Sequence, residues 1–357
     1  MLSALARMYP WMKNFLFRLD AEQSHDKALA GLRFMQRTGL LKRLARGSVA
    51  GQAGVVTVMG LEFPNRVGLA AGLDKDGECI DAFGSLGFGF IEVGTVTPKP
   101  QVGSEKPRMF RLEDRQAIIN RMGFNNRGVE KLVSRLEVRK WPGIVGVNIG
   151  KNKDTPAESA HVDYLDCFRA VHHVADYVTI NLSSPNTPGL RALQFGAALD
   201  QLLETMKAEQ ARLEKQSGRY VPLALKIAPD LTQEEVQSVA EQAHRAGIDA
   251  LIATNTTLSR QGVETAQHAR EIGGLSGAPL TARADELLHW LVTALKSVNS
   301  EMPVIASGGI MTPSDAEAKL KAGAALVQVY TGFIYAGPAL VEAIADLNLG
   351  QPVNRAA

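Results

Sequence analysis

The feature that most constrains the fold of this chain is a regular alternation of short apolar and longer amphipathic segments. Eight apolar segments have the length and β-branched content of buried parallel strands: 66–71, 90–94, 144–149, 177–182, 223–227, 250–254, 304–307 and 326–330. Amphipathic helical patterns lie between most of them, as at 197–215, 233–246 and 284–298. Eight such repeats in roughly 280 residues are typical of a closed (β/α)8 barrel, the TIM barrel. We therefore predict an α/β chain of this class.

An open, doubly wound sheet is the main alternative to the barrel. A dinucleotide-binding sheet of that kind needs a G-x-G-x-x-G loop directly after its first strand. The first predicted strand, 66–71, is followed instead by GLDKDGE. The closed barrel is therefore the better prediction.

Composition narrows the class of protein. With 357 residues, 45% hydrophobic and 21% charged, the chain has the make-up of a globular protein with one large domain and a small appendage. A net charge of +2, with no basic stripe, argues against a nucleic-acid partner. Cys79 and Cys167 lie far apart in sequence and lack metal-type spacing. Two such cysteines give no disulfide framework, which indicates a reducing compartment. The sequence contains no apolar run of 18 residues that would span a bilayer.

The first residues carry a different pattern. Apolar side chains in 2–19 recur at intervals of three and four with basic residues between them, which predicts an amphipathic helix interrupted near Pro10. A second helix is predicted over 24–37, and no signal-peptide cleavage pattern is present. The helices could form a lid packed on the barrel or an interfacial membrane anchor, and the two interpretations are compatible. We predict a helical extension at 1–45 and a barrel domain at 46–357.

Polar residues at the carboxyl ends of the strands identify the candidate site, because barrel enzymes work at that rim. The most informative stretch is TINLSSPNTPGLR, where a buried strand ends in Asn181, Ser183, Ser184 and Asn186. A capped turn would explain any one of these side chains, but four together favour a functional site. Other strand ends add groups that are small, uncharged or cationic: Gly72, Lys75, Thr95, Asn148, Lys151, Lys226, Thr254, Asn255 and Thr256.

This inventory excludes several chemistries. A metal hydrolase needs clustered His and Asp, and a glycosidase needs two facing carboxylates, whereas His is absent from this rim and carboxylates are scarce. Lysines among amides and hydroxyls suit an anionic, planar ligand, and no metal is predicted. The glycine-bearing loops at 307–309 and 330–332 follow the seventh and eighth strands, where barrels bind phosphate. Tight turns would also explain them, but together they favour a cofactor phosphate, with FMN as the natural candidate.

Eight long motifs in one order carry a family resemblance: GLAAGLDKDGECIDAFGSLGFGFIEVGTVTPKPQ, NRMGFNN, GVNIGKNKDTP, INLSSPNTPGLR, KIAPDL, ATNTT, GGLSGAPL and ASGGI. From about Trp11 to about Leu347 the chain resembles the quinone-dependent, membrane-associated class of dihydroorotate dehydrogenases. The resemblance implies a barrel that binds one FMN and oxidises dihydroorotate to orotate in pyrimidine biosynthesis. It also implies that the N-terminal helices admit ubiquinone from the membrane.

The resemblance assigns roles to individual residues. It implies that Ser184 is the catalytic base, in place of the cysteine of the soluble class. The implied substrate contacts are Lys75, Asn120, Arg121, Met122, Gly123, Phe124, Asn181, Asn186, Asn255 and Thr256. The implied FMN contacts are Ala71, Gly72, Thr95, Asn148, Asn181, Lys226, Thr254, Gly277, Gly309, Tyr330 and Thr331. The implied quinone contacts are His25, Arg111 and Tyr330.

The resemblance further implies a peripheral protein on the cytoplasmic side of the cell inner membrane, if the source is bacterial. Two alternatives are a soluble NAD- or fumarate-coupled dehydrogenase and a noncatalytic barrel that only binds flavin or another phosphate ligand. Ser184 and the apolar N-terminus argue against the first, and the retained Ser184, Lys75 and amide groups argue against the second. Because the predicted rim lies after Val55, we also expect dihydroorotate oxidation to persist without the first 37 residues.

Overall fold

Eight parallel strands close into a barrel in the computed structural model, which describes residues 2–45 and 54–347. Neighbouring strands around the barrel follow one another along the chain: β3 (Val67–Leu69), β4 (Phe90–Val96), β7 (Ile144–Ile149), β8 (Tyr177–Asn181), β9 (Leu223–Ile227), β10 (Ala250–Ala253), β12 (Val304–Ser307) and β13 (Leu326–Val329). Each strand overlaps one of the eight predicted segments. The predicted (β/α)8 class is confirmed, because helices on the outside bury one face of the sheet and interior side chains fill the other.

Helices follow most of the strands: α4 (Ile80–Gly84), α5 (Val129–Leu136), α6 (Ala160–Val171), α7 (Gly196–Ser217), α8 (Gln233–Ala246), α9 (Thr281–Ser297), α10 (Pro313–Lys321), α11 (Thr331–Ala336) and α12 (Pro338–Ala345). The three predicted helices correspond to α7, α8 and α9. Local signals set the ends of α8, since Thr232 and Glu235 form a capping box and Gly247 takes a left-handed φ of 73° after the last turn.

A hairpin of β1 (Val56–Val58) and β2 (Leu61–Phe63) closes the barrel at the amino ends of its strands. The Phe63 ring meets the Phe90 ring edge to face at 5.2 Å, and both side chains are buried. We did not predict these strands, because three residues are too few for a periodic pattern. The hairpin leaves the opposite end of the barrel for the candidate site.

A three-stranded antiparallel sheet lies over that opposite rim. It consists of β5 (Met109–Leu112), β6 (Ala117–Asn120) and β11 (Gly274–Gly277), which belong to the loops after β4 and β10. The sequence prediction missed this sheet, since its strands are short and two of them pair over a long sequence separation. The 120–124 segment leaves β6 directly and is therefore held at the rim.

The N-terminal extension contains α1 (Ala4–Leu16), α2 (Ala21–Arg37) and α3 (Leu40–Leu44). The predicted interruption at Pro10 is wrong, because α1 continues through this residue. Contacts on both sides hold the helix on the barrel: Tyr9 donates to Ile334 O at 2.6 Å and Lys13 donates to Tyr335 O at 3.2 Å. In residues 2–45 and 54–347 no helix is long and apolar enough to cross a bilayer. The proposed boundary after residue 45 borders 46–53, outside the described residues, and stays a prediction.

Candidate active site

A cavity of about 990 Å³, including its open mouth, lies at the carboxyl ends of the barrel strands. Most of the side chains assigned to substrate and cofactor line it: Ala71, Gly72, Lys75, Thr95, Asn120, Met122, Gly123, Phe124, Asn181, Ser184, Asn186, Lys226, Thr254, Asn255, Thr256, Gly277, Gly309, Tyr330 and Thr331. Parallel strands bring these residues together because their carboxyl ends meet at one rim.

A buried hydrogen-bond network supports the floor of this cavity. Asn148 is fully buried below the lining, where its Oδ1 accepts from Asn181 Nδ2 at 3.0 Å and from Thr95 Oγ1 at 2.5 Å. Asn148 Nδ2 donates to Glu92 Oε1 at 2.8 Å. Asn148 therefore orients two lining side chains from beneath.

Glu92 is the centre of that network and was not predicted. Its Oε2 accepts from Tyr177 at 3.0 Å and from Gln328 Nε2 at 2.7 Å, so three donors surround a carboxylate that has no exposed surface. Buried carboxylates of this kind are stabilised by their donors. A polar residue in the middle of a predicted barrel strand was the sequence signal that would have identified Glu92.

The cavity offers unpaired polar groups that suit a heteroatom-rich ring. Lys226 lines it, and burial lowers the pKa of its ammonium while the Glu92 charge opposes that shift. Gln328 also lines the cavity, and its Oε1 is buried without a partner within the part of the chain that the structure describes. A flavin ring carries the donors and acceptors that would pair with these groups.

Glycine is required in these loops, because a side chain would collide with neighbouring backbone. A Cβ on Gly309 would lie 2.3 Å from Thr281 Cα, and a Cβ on Gly277 would lie 2.2 Å from Gln116 O. Gly308 and Gly309 take φ values of 102° and 69°, which L side chains rarely adopt. Gly277, Gly308 and Gly309 all line the cavity, so backbone borders it there, as a phosphate cradle requires. Together with Lys226 and Gln328, these loops fit FMN.

The structure separates two neighbouring serines, of which the family resemblance singled out only Ser184. Ser183 Oγ donates to Asn181 Oδ1 at 2.9 Å and accepts from Asn255 Nδ2 at 3.0 Å, so it is engaged within the protein. Ser184 Oγ accepts only from Asn186 N, at 3.3 Å, among the described residues, and it lines the cavity. The Ser184 hydroxyl proton is therefore available to a ligand.

Lys75 supplies a positive charge to the same cavity. Its Nζ donates to Gly72 O at 2.9 Å. Burial lowers the pKa of Lys75 from 10.5 to about 8, with a smaller contribution from Arg108, and nearby carboxylates oppose the shift. The ammonium is therefore charged at neutral pH, where it can pair with a carboxylate ligand.

The 120–124 segment contributes unevenly to the cavity. Asn120, Met122, Gly123 and Phe124 line it, and Asn186 Nδ2 donates to Asn120 O at 3.2 Å. Arg121 does not line it, because its guanidinium pairs with Glu271 at 2.7 Å and donates to Pro107 O at 2.8 Å. The Arg121 side chain thus holds the segment from outside the cavity.

A second cavity, of about 1590 Å³ with its mouth, lies between the N-terminal helices and the barrel. Its walls are mostly apolar, and His25 and Arg111 line it. Arg111 donates to Phe17 O at 3.0 Å and to Ser24 Oγ at 3.1 Å. Burial, followed by the charge of Lys75, lowers the pKa of His25 to about 3, so its imidazole is neutral at physiological pH.

The two cavities share a thin wall. Gly72 lines the polar cavity and Leu73 the apolar one, and Gly332 and Phe333 divide in the same way. Tyr330, assigned to both flavin and quinone, lines only the polar cavity. A ligand in the polar cavity would therefore be separated from a ligand in the apolar cavity by the thickness of one polypeptide backbone.

Arg191 is another supporting residue that the sequence analysis left without a role. It donates to Ser183 O at 3.0 Å and to Thr256 O at 3.0 Å, and it pairs with Asp230 at 2.7 Å. These contacts join the loop that carries Ser184 to the loop after β10. The adjacency of Arg191 to the polar stretch was the available signal.

Comparisons with known proteins identify relatives of this chain. A family model described as dihydroorotate dehydrogenase matches residues 54–349. The chain is 55% identical over 340 residues to the dihydroorotate dehydrogenase (quinone) of Shewanella denitrificans, covering 95% of this chain and 98% of that protein. It is 53% identical to the enzyme of the same name from Pseudomonas syringae pv. tomato, over 97% of this chain and 99% of that protein.

Solved structures give the same result. The crystal structure of DHODH in complex with ferulenol from Eimeria tenella superimposes with a TM-score of 0.81 at 39% identity. The superposition covers 91% of this chain and 90% of the Eimeria tenella chain. The resemblance identified from the motifs is thus confirmed, and the chain belongs to the dihydroorotate dehydrogenase family.

Proposed function

We propose that this protein is a quinone-dependent dihydroorotate dehydrogenase that acts in pyrimidine biosynthesis. The observation that carries the proposal is the pair of adjacent cavities. One is polar, with a cation and a serine hydroxyl whose proton no described residue accepts, and the other is apolar and placed under the N-terminal helices. The names of the relatives support the proposal, since the curated proteins are called dihydroorotate dehydrogenase (quinone).

The polar cavity would hold substrate and FMN together. FMN, when bound, would accept a hydride from the substrate and pass the electrons on. Gly309, Gly277 and Thr331 would hold its phosphate region, while Lys226 and Gln328 would face the ring. A cation near the ring stabilises negative charge there. Lys75 would bind the substrate carboxylate, and Asn181, Asn186, Asn255 and Thr256 would pair with the pyrimidine ring.

Ser184 would be the group that removes a proton. Oxidation of dihydroorotate to orotate forms a ring double bond, so one carbon loses a hydride and its neighbour loses a proton. Ser184 Oγ borders the cavity, and its proton is not donated to any described residue. A serine hydroxyl is a weak base in water, so the proton must be passed on within a closed, preorganised site.

The apolar cavity would receive ubiquinone. His25 and Arg111 would supply polar contacts to the quinone head group, and the apolar walls would enclose the start of the isoprenoid tail. Trp11 and Phe15 on α1 are 81% and 65% exposed, and Phe34 on α2 is 64% exposed. Large exposed aromatics on amphipathic helices are typical of interfacial membrane binding. We therefore place the protein peripherally at the inner face of the bacterial cell membrane.

The test uses the purified full-length protein and its flavin spectrum. We expect an FMN absorbance spectrum that bleaches when dihydroorotate is added and recovers when ubiquinone is added. Recovery with NAD or fumarate, but not with quinone, would assign the protein to a soluble-type activity instead. A flavin that does not bleach with dihydroorotate would overturn the proposal.

A further inference from the structure

Glu22 of helix α2 forms a buried ion pair with Arg108 at the barrel rim. Arg108 Nε and Nη2 donate to Glu22 Oε1 at 3.1 and 2.8 Å, and both side chains are only 8% exposed. Lys106 Nζ lies 3.1 Å from the same oxygen. A buried guanidinium is stable only while it is paired, so Arg108 depends on Glu22 for its position.

Arg108 in turn closes the loop that precedes β5. Its Nη1 donates to Val102 O at 2.6 Å and to Ser104 O at 2.9 Å, so one guanidinium binds both the loop and Glu22. Displacing the guanidinium would release the two carbonyl groups together. The conformation of the 101–108 loop is therefore coupled to α2.

The 101–108 loop holds the segment that borders the substrate cavity. Ser104 N donates to Met122 O at 3.1 Å, and Gln101 Nε2 donates to Gly123 O at 3.0 Å. Arg121 N donates to Arg108 O at 2.8 Å. The backbone of the 120–124 segment thus rests on the loop that Arg108 closes.

Glu22 also acts on Lys75 through its charge. Lys75 shares a cleft with charged and titratable groups from α2, from its own loop, from the 101–108 loop and from position 127: Glu22, His25, Asp26, Arg33, Asp74, Asp76, Glu78, Lys106, Arg108 and Arg127. Glu22 favours the ammonium form, whereas Arg108 opposes it. Removing the carboxylate charge would leave Arg108 uncompensated and disfavour the ammonium further.

We propose that Glu22 is a positioning residue for the substrate, which acts through Arg108 on the 120–124 segment and on Lys75. The inference rests on the proposed function, in which these groups contact dihydroorotate. It makes the N-terminal extension part of the substrate site as well as the quinone site. The expectation that dihydroorotate oxidation largely persists without the first 37 residues is therefore replaced by an expected marked loss of substrate affinity.

The test compares the full-length Glu22→Gln holoenzyme with the wild type by orotate titration of the flavin spectrum. We expect the orotate dissociation constant to rise on the order of 10- to 100-fold, since small displacements of positioned groups have effects of this size. The flavin reduction rate at saturating dihydroorotate should fall much less. The pH at which orotate affinity is lost should also move downward, which a general loss of packing would not produce.

Four further variants separate the mechanism from its alternatives. Glu130→Gln changes an exposed carboxylate on α5 and should leave the dissociation constant unchanged. Arg108→Gln should raise the orotate dissociation constant as Glu22→Gln does, but its pH midpoint should move upward because Arg108 opposes the Lys75 ammonium. The double variant should bind orotate no worse than either single variant, because the two residues act in series on the loop. Glu22→Asp keeps the charge on a shorter side chain and should give an intermediate value.

Three results would overturn the inference: a Glu22→Gln dissociation constant within about twofold of the wild type, an unmoved pH midpoint, or additive effects in the double variant. If Glu22→Gln does not fold with flavin, amide hydrogen exchange in Glu22→Asp decides, since the 121–126 amides should exchange faster than in the wild type. Unchanged exchange there would reject the coupling. A wild type that does not oxidise dihydroorotate would reject the proposed function, and the exchange result would still decide the link.

Discussion

Glu92 Oε1 accepts a hydrogen bond of 2.8 Å from Asn148 Nδ2 inside the barrel, where neither side chain has exposed surface. This bond determines which way the Asn148 amide points. The Asn148 Oδ1 atom therefore faces the rim, where it accepts from Thr95 and Asn181. The interior of the barrel thus orients polar groups of the candidate site from beneath.

Replacing Glu92 with glutamine should destabilise this floor. The Gln amide nitrogen would face the amide nitrogen of Asn148 or of Gln328, each of which now finds an acceptor. A mismatched buried hydrogen bond costs about 1–3 kcal/mol of folding free energy. Thermal unfolding should show the loss, and the FMN content of the purified protein should fall. Glu62→Gln, at an exposed position on β2, should change neither quantity.

Replacing Ser184 with alanine should slow flavin reduction by roughly 10²- to 10⁴-fold while FMN stays bound, because general-base assistance has this magnitude. Stopped-flow bleaching with dihydroorotate measures the rate. Ser184→Cys should retain activity with a shifted pH dependence, since a thiol ionises more easily than a hydroxyl.

Ser183→Ala is the matched control for Ser184. It removes the bond from Asn255, and its main effect should be on substrate affinity. If the alanine variants at both positions slowed the limiting rate equally, Ser184 would lose its special role.

Substrate affinity should weaken as pH rises through about 8, the pKa to which burial lowers Lys75 from 10.5. The ammonium is charged below this pH and neutral above it, so an anionic ligand loses its partner on the alkaline side. Orotate dissociation constants from about pH 6 to about pH 10 test this. Lys75→Arg should flatten the profile, because a guanidinium keeps its charge over the whole range.

Lys226→Ala should behave differently from Lys75→Ala. The Lys226 ammonium lies deeper in the barrel, beside the Glu92 network. We therefore expect the Lys226→Ala variant to lose FMN retention or to show altered flavin redox behaviour. Lys75→Ala should keep its flavin and lose mainly the response to dihydroorotate. Flavin content and substrate dependence of the two purified variants distinguish these outcomes, and identical behaviour would contradict the assignment.

Membrane binding should depend on the exposed aromatics of α1. The Trp11→Ser, Phe15→Ser variant should bind anionic liposomes less strongly, since each large apolar side chain contributes about 1.5–3 kcal/mol when buried. Turnover with long-tailed ubiquinone should fall, whereas turnover with a soluble dye should not. Val138→Ser changes an apolar residue that is 72% exposed on the barrel and should leave liposome binding intact. Equal binding by all three proteins would remove α1 from the membrane contact.

The eight barrel strands and the helices α7, α8 and α9 were predictable because their periodicity is local. The direction of a side chain in a strand or helix follows from its own backbone, so burial leaves a regular pattern in the sequence. The β5–β6–β11 sheet was not predictable, since it pairs short strands from distant parts of the chain. The continuity of α1 through Pro10 was also missed, because contacts with residues 334 and 335 maintain it.

The sequence by itself determined the barrel class, the family and the set of polar groups at the rim, because the patterns that identify each of them lie within contiguous segments of the chain. Only the tertiary structure showed that Ser183 is engaged while Ser184 faces the cavity, and that the Arg121 side chain points away from it. It also revealed Glu92 beneath the site and the link from Glu22 to Arg108. These relationships join residues many positions apart, so they depend on how the closed barrel and the N-terminal helices pack together, and no local pattern records them.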